Sequence, residues 1–298
     1  MAVAFVFAGQ GAQYTGMGCD LYESSRAARD VFDATTKISF TATNEELAVT
    51  INTQPAMLAM DLACAAVLTE NGIRADMAAG FSLGEIAALS YAGAMSTAES
   101  FELITHRATF MHDCKRGGMT AVLKLPNEQV NEIASKFENV YPVNYNCPGQ
   151  VAVAGLELDA FSNEVINAGG RVIKLNVSGA FHSPLMAEAS DKLAKVLGNF
   201  DSLNIPVYSN YTSLPYTNHV AHYIIQQVKN PVLWEPTINN MIADGADVFI
   251  EVGAGKVLSG FIRRINKTVL VLNMEKYEDI NFINQELEKY REHIKTWR

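Results

Sequence analysis

Residues 78–89 read AAGFSLGEIAAL and contain a G-x-S-x-G pattern, Gly80-Phe81-Ser82-Leu83-Gly84, between two apolar segments. The short apolar run that ends at Gly80 predicts a buried strand, and the segment that follows Ser82 predicts a helix. A serine on such a turn exposes its hydroxyl, and the start of the helix offers free N–H groups to a developing oxyanion. Ser82 is therefore a candidate nucleophile, although an ordinary glycine turn can have the same pattern.

Strands and helices alternate along much of the chain, which is typical of an α/β protein with a parallel sheet. The runs VAFVFA (residues 3–8), IPVYSN (205–210) and ADVFIEV (246–252) predict further strands. Residues 54–72 predict a long apolar helix with Pro55 in its first turn and Gly72 at its end. Ser96 and Glu99 have the spacing of a capping box and predict the start of another helix.

The pattern changes near residue 118. Residues 118–177 predict the order β-α-β-β-α-β of a ferredoxin-like unit, with Asn127 as the cap of its first helix. We therefore predict an α/β fold. A large parallel-sheet, α/β hydrolase-like core would comprise residues 1–117 and 178–298, and the inserted ferredoxin-like (βαββαβ) subdomain residues 118–177.

Composition narrows the class of protein. The chain has 298 residues, 49% of them hydrophobic, and a net charge of -9. These values indicate a globular protein with a large core and argue against broad nucleic-acid binding. The first apolar run has no preceding basic residue and is too short to span a bilayer, so we expect neither a signal peptide nor a membrane segment. Four scattered cysteines without a C-x-x-C favour reduced thiols in the cytoplasm, and no metal-ligand cluster appears.

Two further residues could contribute chemistry. His182 follows a predicted strand, and the ends of strands are where α/β proteins build sites; a lone histidine is more often a surface or core residue. Arg107 shares a helix face with apolar residues, namely Ile104, Ala108 and Met111. A buried arginine needs an anionic partner, and the spacing alone favours an internal Asp or Glu.

Together these segments resemble malonyl-CoA:acyl carrier protein transacylases and, more widely, the acyltransferase domains of fatty acid and polyketide synthases. The resemblance covers nearly the whole chain and keeps the family's order of motifs. The matching segments are FAGQGAQ (7–13), TQPAM (53–57), GFSLGE (80–85), HRATFM (106–111), PVNYNCPGQVAVAG (142–155), GAFHSPLM (179–186), KNPVLW (229–234) and EVGAGKVLSG (251–260).

The resemblance implies a catalytic role for five residues. Ser82 would be the nucleophile, and His182 the general base and then the general acid. The backbone N–H groups of Gln10 and Leu83 would form the oxyanion hole. The main-chain carbonyl of Gln227 would orient the histidine, in place of an aspartate.

The resemblance also implies how the acyl group is selected. Arg107 would hold the free carboxylate of a malonyl group, and Gln54 and Asn146 would lie around the same pocket. Phe181 beside the histidine resembles the malonyl-selective form of the motif, because a bulky ring leaves little room for an α-methyl group. Phe81 departs from the pattern, since relatives often have a histidine before the nucleophile.

The implied reaction is a ping-pong transfer from malonyl-CoA to the phosphopantetheine thiol of an acyl carrier protein. It would supply fatty acid synthesis, with a polyketide pathway as the alternative. Coenzyme A enters as a thioester substrate, and we expect no cofactor or metal, a monomer, and neither nucleic acid nor membrane as a partner. Docking of the acidic carrier would use a local basic patch, for which the candidates are Arg171, Lys174, Lys256, Arg263, Arg264 and Lys267.

Two other classes of function fit parts of the pattern. A serine esterase would use water as acceptor, but it has no general use for an arginine placed to bind a carboxylate. A non-catalytic protein that docks the carrier would not need Ser82, His182 and Arg107 together.

Overall fold

The computed structural model describes residues 1–296. Their nine strands form two sheets. The strands are β1 (Ala2–Phe7), β2 (Met77–Gly80), β3 (Gly118–Leu123), β4 (Val140–Cys147), β5 (Gln150–Gly155), β6 (Arg171–Lys174), β7 (Val207–Tyr208), β8 (Ala246–Val252) and β9 (Leu270–Met274). The helices are α1 (Cys19–Ser24), α2 (Arg26–Ala34), α3 (Ile38–Thr41), α4 (Asn44–Leu47), α5 (Thr50–Glu70), α6 (Gly84–Tyr91), α7 (Thr97–Asp113), α8 (Asn127–Ala134), α9 (Leu158–Asn167), α10 (Ala187–Leu193), α11 (Val220–Lys229), α12 (Trp234–Ala243), α13 (Val257–Ile265) and α14 (Asp279–Thr296), with a 3-10 turn at Pro184–Met186.

The first sheet is parallel, as the alternating pattern predicts, with strand order β7-β2-β1-β8-β9. Strand β1 lies at its centre, between β2 and β8, and its residues 3–7 are all buried. Such continuous burial requires helices on both faces of the sheet and explains why β1 is apolar throughout. Because the strands are parallel, the turns that leave β1, β2 and β8 meet at one edge.

The second sheet is antiparallel, with strand order β4-β5-β3-β6. Its elements follow the chain order β3-α8-β4-β5-α9-β6, which is the predicted order of strands and helices. Strand β4 joins this sheet to the rest of the molecule, because Val143 and Tyr145 exchange main-chain hydrogen bonds with Val232 at 2.8 and 3.0 Å. The prediction that Asn127 caps α8 is wrong. Asn127 is the first helical residue, and its side chain donates to Glu235 instead.

Helix α5 is the long apolar helix of the sequence, but it begins at Thr50. The prediction that Pro55 lies in the first turn is therefore wrong. The Thr53 hydroxyl donates to the carbonyls of Leu47 and Val49 and ties an earlier turn to the chain before it. By length and composition alone α5 could cross a membrane, but 83% of its apolar 18-residue stretch is buried inside the protein. It is packed as a core helix.

Candidate active site

Ser82 lies on the turn between β2 and α6 with a φ of 55°, a conformation that non-glycine residues rarely adopt. The turn is held by Asn210, whose side chain accepts from the N–H of Ser82 at 2.7 Å and donates to the carbonyl of Gly80 at 2.6 Å. Glycine is required at 80 and 84 by close approach. A Cβ at Gly80 would lie 2.0 Å from the carbonyl carbon of Gly84, and one at Gly84 would lie 2.4 Å from the carbonyl oxygen of Phe7.

The hydroxyl of Ser82 lies 2.7 Å from Nε2 of His182. The other ring nitrogen, Nδ1, lies 2.8 Å from the main-chain oxygen of Gln227. A carbonyl only accepts, so Nδ1 carries the proton and Nε2 presents its lone pair to the serine hydroxyl. The expectation that His182 projects from the end of a sheet strand is wrong. It lies in the loop after β6, which belongs to the antiparallel sheet, with a φ of 60°.

Burial keeps this histidine neutral. The side chain is 3% exposed. Burial, together with the positive charge of Arg107, lowers the pKa of His182 to about 3, against the smaller opposing effect of its bond to Gln227. An unprotonated imidazole in contact with a serine hydroxyl can act as a general base at neutral pH.

Arg107 lies beside the same serine. The predicted buried face of α7 is confirmed: Arg107 is 1% exposed, and its apolar neighbours on that face are buried too. Nη1 donates to Oε1 of Gln54 at 2.7 Å. Nη2 donates to Oε1 of Gln227 at 2.8 Å and to the hydroxyl of Ser82 at 3.1 Å. The structure thus brings five of the predicted site residues into one hydrogen-bonded group, Ser82, His182, Arg107, Gln54 and Gln227.

The internal anionic partner that spacing alone favours for Arg107 is not in direct contact with it. Within residues 1–296 no carboxylate oxygen lies within 4.0 Å of a nitrogen of Arg107. Burial lowers the pKa of Arg107 to about 10, and the charge of Glu85 opposes this, so the guanidinium stays protonated at neutral pH. Burial raises the pKa of Glu85 to about 7. The site therefore holds a buried cation whose hydrogen-bond acceptors are neutral.

The two predicted oxyanion-hole residues lie in turns of the first sheet. Gln10 follows β1, and Leu83 precedes the first residue of α6. In the part of the chain that the structure describes, neither backbone N–H donates a hydrogen bond to the protein. Both amides are available to a ligand, as the N-terminal N–H groups of a helix generally are.

A cavity of about 220 Å³ lies between the two sheets, beside the serine turn. Gln10 and Phe81 line one side of it and Asn146 another. The ring of Phe81 packs edge-on against Trp234, with ring centroids 5.4 Å apart, so it forms part of the wall next to the nucleophile. Phe181 is 6% exposed and belongs to the main core, outside the residues that line this cavity.

The chain matches a known protein family over nearly its whole length. A family model described as an acyl transferase domain matches residues 4–295. The chain belongs to this acyl transferase family. The match includes the turn that carries the serine, the helix that carries the arginine and the loop that carries the histidine.

Individual members of the acyl transferase family are similar over their full length. The malonyl CoA-acyl carrier protein transacylase of Bacillus subtilis is 37% identical, over 96% of this chain and 98% of its own. The crystal structure of the corresponding protein from Clostridium perfringens has a TM-score of 0.94 at 34% identity and covers 99% of this chain and 100% of its own. A complex described as a type II PKS acyl-carrier protein with its malonyl-transacylase has a TM-score of 0.90 at 30% identity, over 94% and 98%.

Sequence reasoning missed two buried polar residues of this acyl transferase site, Glu85 and Asn210, both 0% exposed. Glu85 could have been found, because it is the one charged residue in the apolar helix that follows the serine. Asn210 carries no such signal. It lies in a loop far along the chain, and only the fold brings it to the serine turn.

Proposed function

We propose that this protein transfers a malonyl group from malonyl-CoA to the phosphopantetheine thiol of an acyl carrier protein. The group would travel as an ester on Ser82. One observation carries the proposal: the protonated guanidinium of Arg107 is buried 3.1 Å from the nucleophile, and no carboxylate of residues 1–296 is in direct contact with it. A guanidinium fork in that position suits an acyl group with a free carboxylate.

The first half-reaction acylates the serine. Nε2 of His182 takes the proton as Oγ of Ser82 attacks the thioester carbonyl. The N–H groups of Gln10 and Leu83 donate to the oxyanion that forms. When the tetrahedral intermediate collapses, the carbon–sulfur bond breaks and the imidazolium returns its proton to the departing thiolate of coenzyme A.

The second half-reaction is the reverse chemistry with another thiol. The phosphopantetheine thiol gives its proton to Nε2 of His182 and attacks the carbonyl of the malonyl ester. The ester bond then breaks, and Oγ of Ser82 recovers a proton from the imidazolium. The main-chain carbonyl of Gln227 holds the ring in one tautomer through both halves. No step calls for a metal or a redox cofactor.

The carrier would approach along a basic surface next to the cavity between the two sheets. Arg171 and Arg264, two of the predicted docking candidates, line a surface pocket of about 650 Å³ together with Lys124. Arg264 donates to Oε1 of Gln150 at 2.7 Å, and Gln150 also lines the cavity beside the serine. Phosphate and carboxylate groups of a docked carrier would meet these three cations in a protein that is otherwise acidic.

We also propose a fold type for each of the two sheets, an oligomeric state and a cell compartment. The five-stranded sheet would be an α/β hydrolase-like core (residues 1–117 and 178–298), and residues 118–177 a ferredoxin-like subdomain. The strand order β4-β5-β3-β6 and the chain order of that unit support the second assignment. A cytoplasmic monomer is proposed, and the free state of all four cysteines supports a reducing compartment.

Radiolabelled malonyl-CoA tests the function. The wild-type protein should form a malonyl ester that maps to the peptide containing Ser82, and holo-acyl carrier protein should discharge it while the apo-carrier should not. Ser82→Ala has no hydroxyl group at residue 82 and should therefore take up no label. Label that water removes as fast as the holo-carrier does would instead indicate an esterase.

The polyketide alternative rests on the solved relative in complex with a type II PKS carrier. Discharge of the labelled enzyme by holo-carriers of both kinds, at equal concentration, separates the two pathways. We expect faster discharge by a fatty acid carrier.

A further inference from the structure

Glu85 takes no part in the chemical steps, yet its carboxylate lies among the hydrogen bonds that surround the nucleophile. It is fully buried on α6, three residues after Ser82. Its Oε1 accepts from the hydroxyl of Tyr216 and from the N–H of Asn210 at 3.3 Å. Its Oε2 accepts from Nε2 of Gln227 at 2.7 Å.

The side-chain amide of Gln227 connects Glu85 to the reacting groups. Besides its bond to Glu85, Nε2 donates to the carbonyl of Ser82 at 2.6 Å, and Oε1 accepts from Nη2 of Arg107 at 2.8 Å. Only one orientation of the amide satisfies all three bonds. Turned by half a rotation, its oxygen would face two acceptors and its NH₂ group would face a guanidinium.

We propose that Glu85 is a positioning residue for malonyl transfer: its carboxylate fixes the amide of Gln227, and the amide fixes the fork of Arg107 beside Ser82. The inference rests on the proposed function. It makes Glu85 a determinant of how well the enzyme holds an acyl carboxylate, although Glu85 itself contacts neither the substrate nor the reacting atoms.

A carboxylate is the group that suits this position. Three donors converge on its two oxygens, from Tyr216, Asn210 and Gln227. A glutamine at residue 85 offers one oxygen and two N–H groups. It must therefore turn its NH₂ group toward either the N–H of Asn210 or Nε2 of Gln227 and leave a buried donor without an acceptor.

A double-mutant cycle tests the connection. Glu85→Gln and Gln227→Leu should each lower kcat/KM for malonyl-CoA by about 10- to 100-fold, the size expected when a buried charge-assisted hydrogen bond is lost. The double variant should be no worse than the poorer single variant, because both changes break one link. Losses that multiply would overturn the proposal, and so would a Glu85→Gln enzyme with wild-type kinetics. If Glu85→Gln does not fold, Glu85→Asp, whose shorter side chain cannot reach every donor, replaces it in the cycle.

Two readouts separate positioning from a purely structural role. If Glu85 acts through Arg107, Glu85→Gln should reduce malonyl transfer more than acetyl transfer, because only malonyl carries the carboxylate. Equal losses would overturn the proposal. Tyr216→Phe is the matched control, because it removes a donor from the other carboxylate oxygen and leaves the Gln227 contact intact. Its kcat/KM for malonyl-CoA should stay within about twofold of wild type. A loss as large as that of Glu85→Gln would show that Glu85 serves instead to anchor the chain segment around Tyr216.

The labelling experiment separates the two proposals. A wild-type protein that forms no malonyl ester on Ser82 would overturn the proposed function, and the role of Glu85 with it. A wild-type protein that is labelled, combined with multiplying losses in the cycle, would overturn the role of Glu85 alone.

Discussion

Among single residues, Arg107 should decide which acyl group is accepted. Replacing it by alanine removes the partner of the malonyl carboxylate and leaves that charge unpaired in a buried site, which costs about 3–5 kcal/mol. We expect Arg107→Ala to lower kcat/KM for malonyl-CoA by at least about 100-fold. Acetyl-CoA carries no carboxylate and should lose much less. Initial rates with the two thioesters at matched concentrations give both values.

Arg107→Lys is the control for geometry. It keeps a positive charge but loses the planar fork that reaches Gln54 and Gln227. Its malonyl activity should fall between wild type and Arg107→Ala. Equal fold losses for malonyl and acetyl in the alanine variant would contradict a role in carboxylate binding.

His182 should make folding stability depend on pH. Its folded pKa, about 3, is below its unfolded value of 6.5, so the unfolded chain binds the proton first as the pH falls. Stability from this residue is present above pH 6.5 and is lost as the pH falls toward about 3. Between pH 6.5 and 5 the loss should be about 2 kcal/mol, at about 1.4 kcal/mol per pH unit. Urea unfolding of wild type and His182→Gln across this range measures it as a difference.

The difference between the two proteins is needed because Glu85 acts in the opposite direction. Its folded pKa, about 7, is above the usual 4.5, so its contribution is present at low pH and is lost as the pH rises from 4.5 through 7. Both proteins share this term, and it cancels. A wild-type advantage that stays constant from pH 6.5 to 5 would mean that folded His182 titrates like an ordinary histidine.

The sequence predicted which residues meet at this site better than it predicted how they bond. The buried face of Arg107 followed from helix periodicity, which is local information. Its acceptors did not, because Gln54 and Gln227 lie 53 and 120 positions away along the chain. The role of the Gln227 side chain was missed for the same reason, although the contact of its main-chain carbonyl with His182 was expected from the resemblance and is present.

Among the elements, the approach of α6 to β1 places the nucleophile, and Gly84 permits it. A Cβ at residue 84 would lie 2.4 Å from the carbonyl oxygen of Phe7 and 2.6 Å from that of Ala8. Both are main-chain atoms that cannot turn aside, so the helix must move. We expect Gly84→Ala to lower the free energy of unfolding by about 1–3 kcal/mol and to slow malonyl labelling of Ser82. Denaturant titration and a labelling time course measure the two effects.

Gly260→Ala is the matched control. Gly260 lies inside α13, and a Cβ there meets nothing within 4 Å. Alanine should raise stability by about 0.5–1 kcal/mol through helix propensity and leave labelling unchanged. A Gly84→Ala protein as stable and as quickly labelled as this control would contradict the close-packing argument.

The elements themselves were predicted well where their signals are local. The capping box at Ser96 and Glu99 is present, with the Ser96 N–H bonded to the Glu99 carboxylate at 2.8 Å. Strand β9 was missed because its apolar run is short and directly precedes a polar helix. The early start of α5 was missed because the turn before Pro55 is held by bonds of Thr53 to the preceding chain rather than by its own periodicity.

On the scale of the whole molecule, the chain carries a net charge of -9, so a carrier that is itself acidic would have to dock on a local basic surface. The basic pocket of Lys124, Arg171 and Arg264 lies next to the cavity between the two sheets. Arg264 is already bonded to Gln150 and to the carbonyl of Pro148, so it is fixed in place. All three residues are exposed, and in the described part of the chain the Arg171 side chain makes no hydrogen bond or ion pair, so its charge can be removed with little structural change.

We therefore expect Arg171→Gln to raise the KM for holo-acyl carrier protein by about 3- to 10-fold at low ionic strength, with kcat nearly unchanged. The effect should shrink above about 0.5 M salt, because screening removes the attraction in wild type as well. Arg26→Gln is the matched control: it makes the same change in net charge on α2, at a side chain that is 88% exposed and has one weak ion pair with Asp30. If both variants shift the KM equally, net charge steers the carrier. If neither does, the carrier docks elsewhere on the molecule.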